Sequence, residues 1–184
     1  MSSQPAFPLG PTVDDAARGD GAAWDRLFDQ FHPMVYRYAL ARTGDQGVAE
    51  EIAQDVFVAA VTGVRGLRER SKPGVEGWFI RIARFKIADW ARRKAREAHV
   101  LAPDRTSDDP SETALTNLAA NEVRQAMESL TEEQQDVVVR RFVLDQSLEE
   151  VARSTGRPVG AVKALQHRAL AALARRLDAE QAIR

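Results

Sequence analysis

The chain has 184 residues, of which 44% are hydrophobic and 29% charged, and its formal net charge is −1, a composition typical of a soluble globular protein with one domain or two small ones. It has no cysteine, and its three histidines (His32, His99 and His167) lie far apart, so we expect no disulfide, thiol chemistry, metal site or cofactor. No apolar run approaches the roughly 20 residues of a membrane span, and residues 1–11 lack a secretory-signal pattern, which together predict a cytoplasmic protein without membrane insertion.

The N-terminal part begins with a segment rich in Pro, Gly and Asp. We predict a disordered tail over residues 1–20. From Trp24 onward apolar residues recur every three or four positions, which predicts a helix with one buried face. Pro33 predicts a kink or a break in this helix, and the turn signal Thr43-Gly44-Asp45 ends it.

A second helix is predicted from Val48 to about Thr62, and its first half is acidic. Between Asp45 and Asp55 there are four acidic residues and no basic one. The acids lie away from the apolar stripe of the helix, so they form a charged outer surface. The following stretch, residues 63–77, contains Gly, Pro and four basic residues and predicts an exposed loop.

A third helix is predicted to begin at about Trp78, in a strongly basic stretch of the chain. Between Glu76 and Arg96 seven basic residues stand against two acidic ones. Its core stripe includes Trp90, whereas Trp78 is left open between a core position and an exposed aromatic one. Residues 97–113 lose the apolar periodicity and carry five acids and one base, which predicts an acidic linker.

The C-terminal part carries two capping boxes, Thr131 with Gln134 and Ser147 with Glu150, each of which predicts a helix start. Helical spacing resumes near Leu115, before the first box. No convincing strand appears anywhere in the chain. The sequence therefore predicts an all-α protein with two small helical domains joined by a flexible acidic linker.

The segment around Gly156 has the pattern of a helix-turn-helix. Ala152 lets the two helices approach, Gly156 permits the sharp turn, and Val162 fills the gap between them. An ordinary helical hairpin is the alternative. The second helix favours the first interpretation, because Lys163 and His167 lie with other polar residues on the face opposite its apolar stripe.

Three segments together resemble the extracytoplasmic-function family of bacterial sigma factors. AEEIAQDVF (Ala49 to Phe57) and GWFIRIARFKIADWARRKAR (Gly77 to Arg96) are similar to its second conserved region, and Ser129 to Leu173 is similar to its fourth. The resemblance covers nearly all of Ala22 to Leu177. With the tail predicted over 1–20 and the linker predicted over 97–113, the resemblance implies region 2 over 21–96 and region 4 over 114–184, the latter a winged-helix-like four-helix domain.

The resemblance implies a sigma factor that binds core RNA polymerase through the clamp helices of the largest subunit and through the flap. It places the polymerase contacts on the acidic helix. The residues that it implies there are Glu51, Gln54, Asp55 and Phe57. A plain solvated helix surface is the alternative for the acidic residues.

The same resemblance implies two promoter contacts and an anti-sigma factor as a further partner. The residues implied at the minus-10 element are Arg65, Trp78, Arg81, Arg84, Lys86, Arg92 and Arg93, and those implied at the minus-35 element are Arg157, Lys163, Ala164, Gln166, His167 and Arg168. The chain departs from the family pattern at four positions of the helix-turn-helix. Pro158, Ala161, Ala164 and Leu165 replace residues that are usually polar, which predicts an unusual minus-35 sequence or one read partly through DNA shape.

Two other classes of function compete with this one. An autonomous helix-turn-helix regulator is the alternative, but two dissimilar DNA-facing segments in one chain argue against it. An enzyme acting on nucleic acid is disfavoured, because the sequence offers no acidic metal cluster, no phosphate-binding glycine loop and no nucleophile beside a base. The acidic linker is interpreted either as a solvated segment or as one that enters a polymerase channel.

Overall fold

The computed structural model describes residues 8–100 and 125–181, and every regular element in these two stretches is a helix. This confirms the predicted all-α class. None of the described helices combines the length and the apolar character that crossing a membrane would need. Predictions for the linker beyond residue 100, and for the helix resuming near residue 115, lie outside the described residues.

The first stretch forms what we call the N-terminal module. Its helices are α1 (Leu9–Ala17), α2 (Gly21–Thr43), α3 (Gln46–Gly63) and α4 (Lys72–Val100), with a 3-10 turn at Val64–Gly66. The second stretch forms the C-terminal module. After a helical end at residues 125–128 it contains α5 (Glu132–Val138), a π turn (Val139–Val143), α6 (Leu148–Thr155) and α7 (Val159–Gln181).

Helices α2 and α3 begin and end where local side-chain chemistry dictates. The Asp20 carboxylate accepts a hydrogen bond from the Ala22 backbone N–H, and the Asp45 carboxylate accepts one from Val48. Gly44 ends α2 in the left-handed conformation, at φ 70°. Pro33 does not break α2, because it lies on the exposed side, where water can hydrogen-bond the carbonyl that proline leaves unpaired.

The predicted tail over residues 1–20 is wrong for residues 9–17, which form α1. Val13 and Ala16 on α1 are 1% and 3% exposed and belong to the main core. The indole N–H of Trp24 donates to the Ala16 carbonyl oxygen at 3.1 Å. The short helix is therefore stabilised by tertiary packing, which composition alone does not reveal.

Helix α4 is longer at both ends than the sequence predicts. It begins at Lys72 rather than near Trp78, and it continues to Val100, so the predicted linker over 97–113 is wrong for residues 97–100. Ser71 precedes the helix, and its carbonyl accepts from the Val75 N–H at 2.9 Å. The predicted exposed loop over 63–77 is therefore wrong for residues 72–77, which belong to α4, and Val64 and Leu67 in the remaining part are buried. Pro73 is compatible with the first turn of a helix.

The core of the N-terminal module is aromatic. The ring centroid of Phe79 on α4 lies 5.2 Å from that of Phe31 and 4.9 Å from that of Phe57, joining α2 and α3. These centroid distances are typical of aromatic pairs that contribute beyond their buried area. Trp90 packs against this core as predicted, partly buried.

The C-terminal module confirms both predicted capping boxes. Thr131 pairs reciprocally with Gln134, and Ser147 pairs reciprocally with Glu150. The predicted helix after Thr131 has its last turn widened to a π turn. Val139 in that turn is 1% exposed and belongs to the core of the N-terminal module, so the two modules pack directly against each other.

Candidate nucleic-acid and polymerase interfaces

The helix-turn-helix is formed by α6 and α7. Gly156 ends α6 at φ 68°, a left-handed backbone conformation that residues other than glycine rarely adopt. This confirms the sharp turn predicted at Gly156. Val151, Ala152 and Val162 are at most 4% exposed and pack the two helices together. The geometry presents α7 as the helix that can enter a DNA groove.

The outer face of α7 carries four of the predicted minus-35 residues. Lys163, Ala164, His167 and Arg168 are all exposed. Gln166 is set apart from them, because its side-chain oxygen accepts a hydrogen bond from Arg141 at 3.1 Å. The open face therefore offers two cations, one imidazole and one methyl group.

Arg157 lies at the turn between α6 and α7, where it forms an ion pair with Glu133 of α5. This contact holds the pKa of the Glu133 carboxyl below its usual range. The pair is exposed, so it contributes little to stability and leaves Arg157 able to exchange its partner for a phosphate.

The basic residues of α4 lie on its solvent side, and most of them have a carboxylate partner. Arg81 is exposed, and it is one of the residues lining the space between the modules. The other predicted minus-10 cations of α4 form ion pairs, which are Arg84 with Glu132, Lys86 with Asp55, Arg92 with Asp89, and Arg93 with Glu51. All are exchangeable surface pairs.

A large aromatic side chain stands among these cations, and sequence reasoning missed it. Phe85 is 65% exposed on α4, and helical periodicity places it on the same face as Arg81, four positions before it, and Arg92, seven positions after it. The sequence contains the signal, because Phe85 lies outside the core stripe that the helical spacing predicts, which is Phe79, Ile82, Ala83, Ile87 and Trp90. Exposed aromatic rings among Arg and Lys side chains are the usual platform for unpaired bases.

Trp78 lies in the core, which resolves the two interpretations that the sequence left open. It is 7% exposed, and its ring centroid is 5.0 Å from that of Phe79. In this conformation the indole is not free to stack on a base. Arg65, in the 3-10 turn, is exposed and donates from Nε to the Ala17 carbonyl at 3.3 Å, so it ties the turn to α1.

The acidic helix α3 presents part of the predicted polymerase surface. Glu51 and Gln54 are exposed, and Asp55 is half-buried and accepts from Lys86 at 3.1 Å. Phe57 is only 7% exposed and contacts Phe28 and Phe79, so it supports the helix from within. Val58, which is 69% exposed, provides apolar area beside the acids instead.

A buried polar network joins the two modules. The Tyr38 hydroxyl donates to Asp136 Oδ1 at 2.7 Å, and Arg140 donates from Nε to Asp136 Oδ2 at 3.0 Å and from Nη1 to the Ser154 hydroxyl at 3.0 Å. The side chains of Arg140 and Asp136 are 2% and 4% exposed. Burial raises the pKa of the Tyr38 phenol, so it remains a donor at any ordinary pH.

Glu76 and Gln146 form a second buried contact between the modules. Gln146 Nε2 donates to Glu76 Oε2 at 2.9 Å, whereas Gln146 Oε1 is buried without a hydrogen-bond partner. Burial raises the pKa of the Glu76 carboxyl, and Glu150 adds to the rise, although Lys72 at 3.7 Å opposes it.

We therefore expect the Glu76→Gln variant to be more stable than the unsubstituted chain near neutral pH. Because the folded pKa is raised, Glu76 contributes stability below its ordinary pKa and loses that contribution as pH rises through the folded pKa. The difference in unfolding free energy between variant and parent should be small near pH 4 and grow toward pH 7. Denaturant titrations across this range measure it, and a constant difference would contradict the assignment.

Comparison with known proteins gives two family matches along the chain. Residues 27–97 match the model for Sigma-70 region 2, and residues 120–173 match the model for Sigma-70, region 4. The first covers most of the N-terminal module, and the second covers most of the C-terminal one.

Curated relatives align over most of the chain. The chain is 31% identical over 170 residues to the ECF RNA polymerase sigma factor BldN of Streptomyces coelicolor, and the alignment covers 90% of this chain and 64% of BldN. It is 32% identical over 171 residues to the ECF RNA polymerase sigma factor SigD of Mycobacterium tuberculosis, covering 88% of this chain and 80% of SigD.

Two solved structures share the fold. CnrH, solved in complex with the cytosolic domain of CnrY, superposes with a TM-score of 0.68 at 23% identity, covering 93% of this chain and 97% of CnrH. The sigma factor RpoE of Bartonella quintana, solved with the anti-sigma factor NepR, gives a TM-score of 0.60 at 18% identity, covering 84% of this chain and 96% of RpoE.

Proposed function

The chain belongs to the extracytoplasmic-function family of RNA polymerase sigma factors, and on that premise we propose how its two modules divide the work of promoter-specific initiation. The N-terminal module binds core RNA polymerase through α3 and the minus-10 element through α4. The C-terminal module binds the minus-35 element through α7. The chain itself performs no catalytic step, and it acts in the cytoplasm, where the polymerase is.

One observation carries this proposal: the chain has two separate basic faces, on α4 and on α7, in different modules. An autonomous repressor with a helix-turn-helix needs one recognition helix per subunit and gains its second contact from a dimer partner. A sigma factor needs two dissimilar DNA-binding surfaces in one chain. Its two promoter elements differ in sequence, and the DNA strands of one of them are separated.

For the minus-35 element, the exposed face of α7 supplies the base contacts. Lys163 and Arg168 suit guanine or phosphate, and the Ala164 methyl group suits the methyl group of thymine. His167 adds a hydrogen-bonding group beside them. Arg157 acts from the turn as a phosphate contact once it releases Glu133.

For the minus-10 element, α4 supplies cations around an aromatic platform. Arg81, Arg84, Lys86, Arg92 and Arg93 hold the DNA backbone, and Arg65 extends this basic surface from the 3-10 turn. Phe85 stacks on a base that has left the DNA duplex, and its 65% exposure supports this role. The buried Trp78 supports α4 from within the core.

For the polymerase, Glu51, Gln54 and Asp55 of α3 form a carboxylate-rich surface complementary to a basic helical partner. The exposed Val58 next to them adds the apolar contact that buried Phe57 does not. We assign this surface to the clamp helices of the largest subunit, and we assign a second polymerase contact, at the flap, to the C-terminal module.

Because RpoE of Bartonella quintana was solved with the anti-sigma factor NepR, we also propose an anti-sigma factor as a partner of this chain.

Transcription in vitro from a template library with randomised minus-10 and minus-35 positions tests the proposal, and it requires no promoter to be identified beforehand. Purified chain added to core polymerase is expected to enrich transcripts from one pair of elements. If the chain binds DNA equally well without polymerase and enriches no transcripts, it is an autonomous regulator and the proposal fails.

The minus-35 assignment has its own test in the Arg168→Ala variant. Loss of a good base contact should weaken recognition of the enriched minus-35 element by about 1–3 kcal/mol and relax the preference at one base pair. Arg175→Ala on the same helix removes the same charge and serves as the control. An equal loss for both variants on all sequences would reduce Arg168 to a phosphate contact.

A further inference from the structure

Two contacts join helix α1 to the loop that precedes α4. Arg65 donates from Nε to the carbonyl oxygen of Ala17, the last residue of α1, at 3.3 Å. Arg70 forms an ion pair with Asp14, with 2.5 Å between Nη1 and Oδ1. We infer that Asp14 is a positioning residue for minus-10 recognition: through Arg70 it fixes the part of the loop that presents Arg68 to a base. The inference rests on the proposed function, because it requires this side of the N-terminal module to bind the minus-10 element.

The tip of this loop is formed by Arg68 and Glu69, and it has one anchor on each side. On the first side Leu67 is 7% exposed and belongs to the main core, so apolar burial holds that end. On the second side Arg70 is held by its ion pair with α1. The next buried apolar residue is Val75, which already lies in α4. The tip therefore depends on α1 for its second fixed point.

The ion pair between Arg70 and Asp14 is more than a solvated surface contact. The two side chains are 38% and 41% exposed, but Arg70 Nε is buried and finds no hydrogen-bond acceptor among the residues that the structure describes. A guanidinium group that is partly removed from water depends on its remaining charged partner. Without the Asp14 carboxylate, Arg70 gains by moving into solvent, and the loop tip moves with it.

The opposite side of the tip rests on the first turn of α4. Glu69 Oε1 accepts a hydrogen bond from the Ser71 backbone N–H at 3.0 Å. A Cβ atom at position 74 would lie 2.7 Å from the Glu69 carbonyl oxygen, closer than real contacts, so Gly74 is what allows the tip to approach α4. The tip is thus held between α1 and α4, and the loss of either contact displaces it.

Arg68 is the side chain that this arrangement presents. It is exposed, and it forms no ion pair with any residue in the described part of the chain. Arg68 and Arg81 of α4 line the same space, so the loop adds a cation beside those already assigned to the minus-10 element. An arginine can donate two parallel hydrogen bonds to guanine only if its backbone is correctly placed. Fixing the tip before DNA binds also reduces the conformational entropy lost on binding.

Asp14→Ala and Asp15→Ala form a matched pair of variants that test the inference. Each removes one carboxylate from adjacent positions of α1 and introduces a strong helix former. Asp15 pairs with Arg18 at the end of its own helix and not with the loop. Asp14→Ala should lower the base preference at specific minus-10 positions about two- to five-fold, because the tip is then correctly placed for only part of the time. Asp15→Ala should leave every preference unchanged.

The measurement uses full-length variants, core polymerase and the template library with randomised minus-10 positions. The ratio of enriched to depleted bases at each position reports the preference, independently of the total amount of transcript. A uniform loss of transcription with unchanged ratios would mean that the ion pair only stabilises the fold, and it would overturn the inference. Equal changes for Asp14→Ala and Asp15→Ala would overturn it as well.

Arg68→Ala identifies the positions at which the loop acts. It should lower the preference there about five-fold or more, the effect expected for the loss of one good base contact. Adding Asp14→Ala to Arg68→Ala should cause no further loss at these positions, because Asp14 acts through Arg68. Additive losses, or losses at different positions, would contradict the positioning role.

Gly74→Ala displaces the same tip from the α4 side without changing α1. The added methyl group forces the Glu69 backbone away, while alanine favours the helix. The preference should therefore fall at the same minus-10 positions as in Asp14→Ala. Gly10→Ala in α1 meets nothing within 4 Å and is the control. A change at other positions, or none, would count against a tip held from both sides.

Hydrogen exchange of the chain without DNA follows the loop directly. The backbone amides of residues 67–72 should exchange faster in Asp14→Ala than in the parent or in Asp15→Ala. The amides of α3 should exchange at the parent rate in all three, which separates a local change from a general loss of stability. Equal exchange of residues 67–72 in the three chains would show that Asp14 does not fix the loop.

The outcomes separate this inference from the proposed function. If the parent chain enriches one pair of elements and Asp14→Ala keeps the same minus-10 preferences, the inference fails alone. If the parent chain enriches no element, the proposed function fails and the inference fails with it.

Discussion

The Phe79→Ala variant is expected to lose about 3–5 kcal/mol of unfolding free energy. Phe79 is fully buried, and its ring contacts those of Phe31, Phe57 and Trp78, with centroids 5.2, 4.9 and 5.0 Å away. Alanine leaves a cavity in the centre of the N-terminal module, where three helices meet. Denaturant unfolding followed by far-ultraviolet circular dichroism measures the loss.

The control for this prediction lies on the same helix. Phe85→Ala makes the same chemical change at a position that is 65% exposed, so its unfolding free energy should change by less than about 0.5 kcal/mol. Phe79→Leu retains most of the buried volume and should fall between the two. Similar losses for Phe79→Ala and Phe85→Ala would mean that the aromatic core does not hold the module together.

Loss of Phe79 should also affect polymerase binding, although Phe79 lies far from the surface. Helix α3 carries Glu51 and Asp55, and Phe57 on its inner side rests on Phe79. When the core loosens, the carboxylates lose their fixed spacing. We expect weakened polymerase binding at temperatures where the variant begins to unfold, and normal binding below them.

Features encoded by short-range chemistry could be predicted from the sequence. The two capping boxes depend on hydroxyl and side-chain groups three residues apart, and both form as predicted. The left-handed turn at Gly156 likewise needs only the glycine and its neighbours. Such contacts are set by the local chain, so spacing is sufficient to locate them.

Features that depend on distant partners could not be predicted. Helix α1 has too few residues to be stable alone, and it forms because the core accepts Val13 and because Trp24 bonds to its last turn. The ion pair of Arg84 with Glu132 joins residues 48 positions apart in the sequence. No periodicity reports such a contact, because it arises only when the two modules dock.

The residues of the candidate site could be predicted from the sequence only in part. The exposure of Lys163, His167 and Arg168 follows from the apolar stripe of α7, and the sequence predicts it. Trp78 could not be assigned in the same way, because its position near the start of α4 suits either a core or a surface role. Phe85 could have been found, since a large aromatic residue outside a helix's apolar stripe needs an explanation beyond the core.

Phe85 carries the second large prediction, which concerns DNA rather than stability. Phe85→Ala should weaken binding to the single-stranded minus-10 element by about 1–3 kcal/mol, or roughly 5- to 150-fold. The reason is that alanine removes a stacking surface and leaves the surrounding cations in place. Fluorescence anisotropy with a labelled oligonucleotide, in the presence of core polymerase, measures the change.

Phe85→Trp and Phe85→Leu distinguish stacking from a merely apolar contact. Tryptophan keeps an aromatic face and should retain most of the affinity, whereas leucine keeps an apolar side chain but not the face and should resemble alanine. Binding to a minus-35 duplex should be the same for all three, because that element is assigned to α7. If leucine restores binding as well as tryptophan does, the side chain fills an apolar contact. If none of the variants changes affinity, the cations of α4 bind the strand without Phe85.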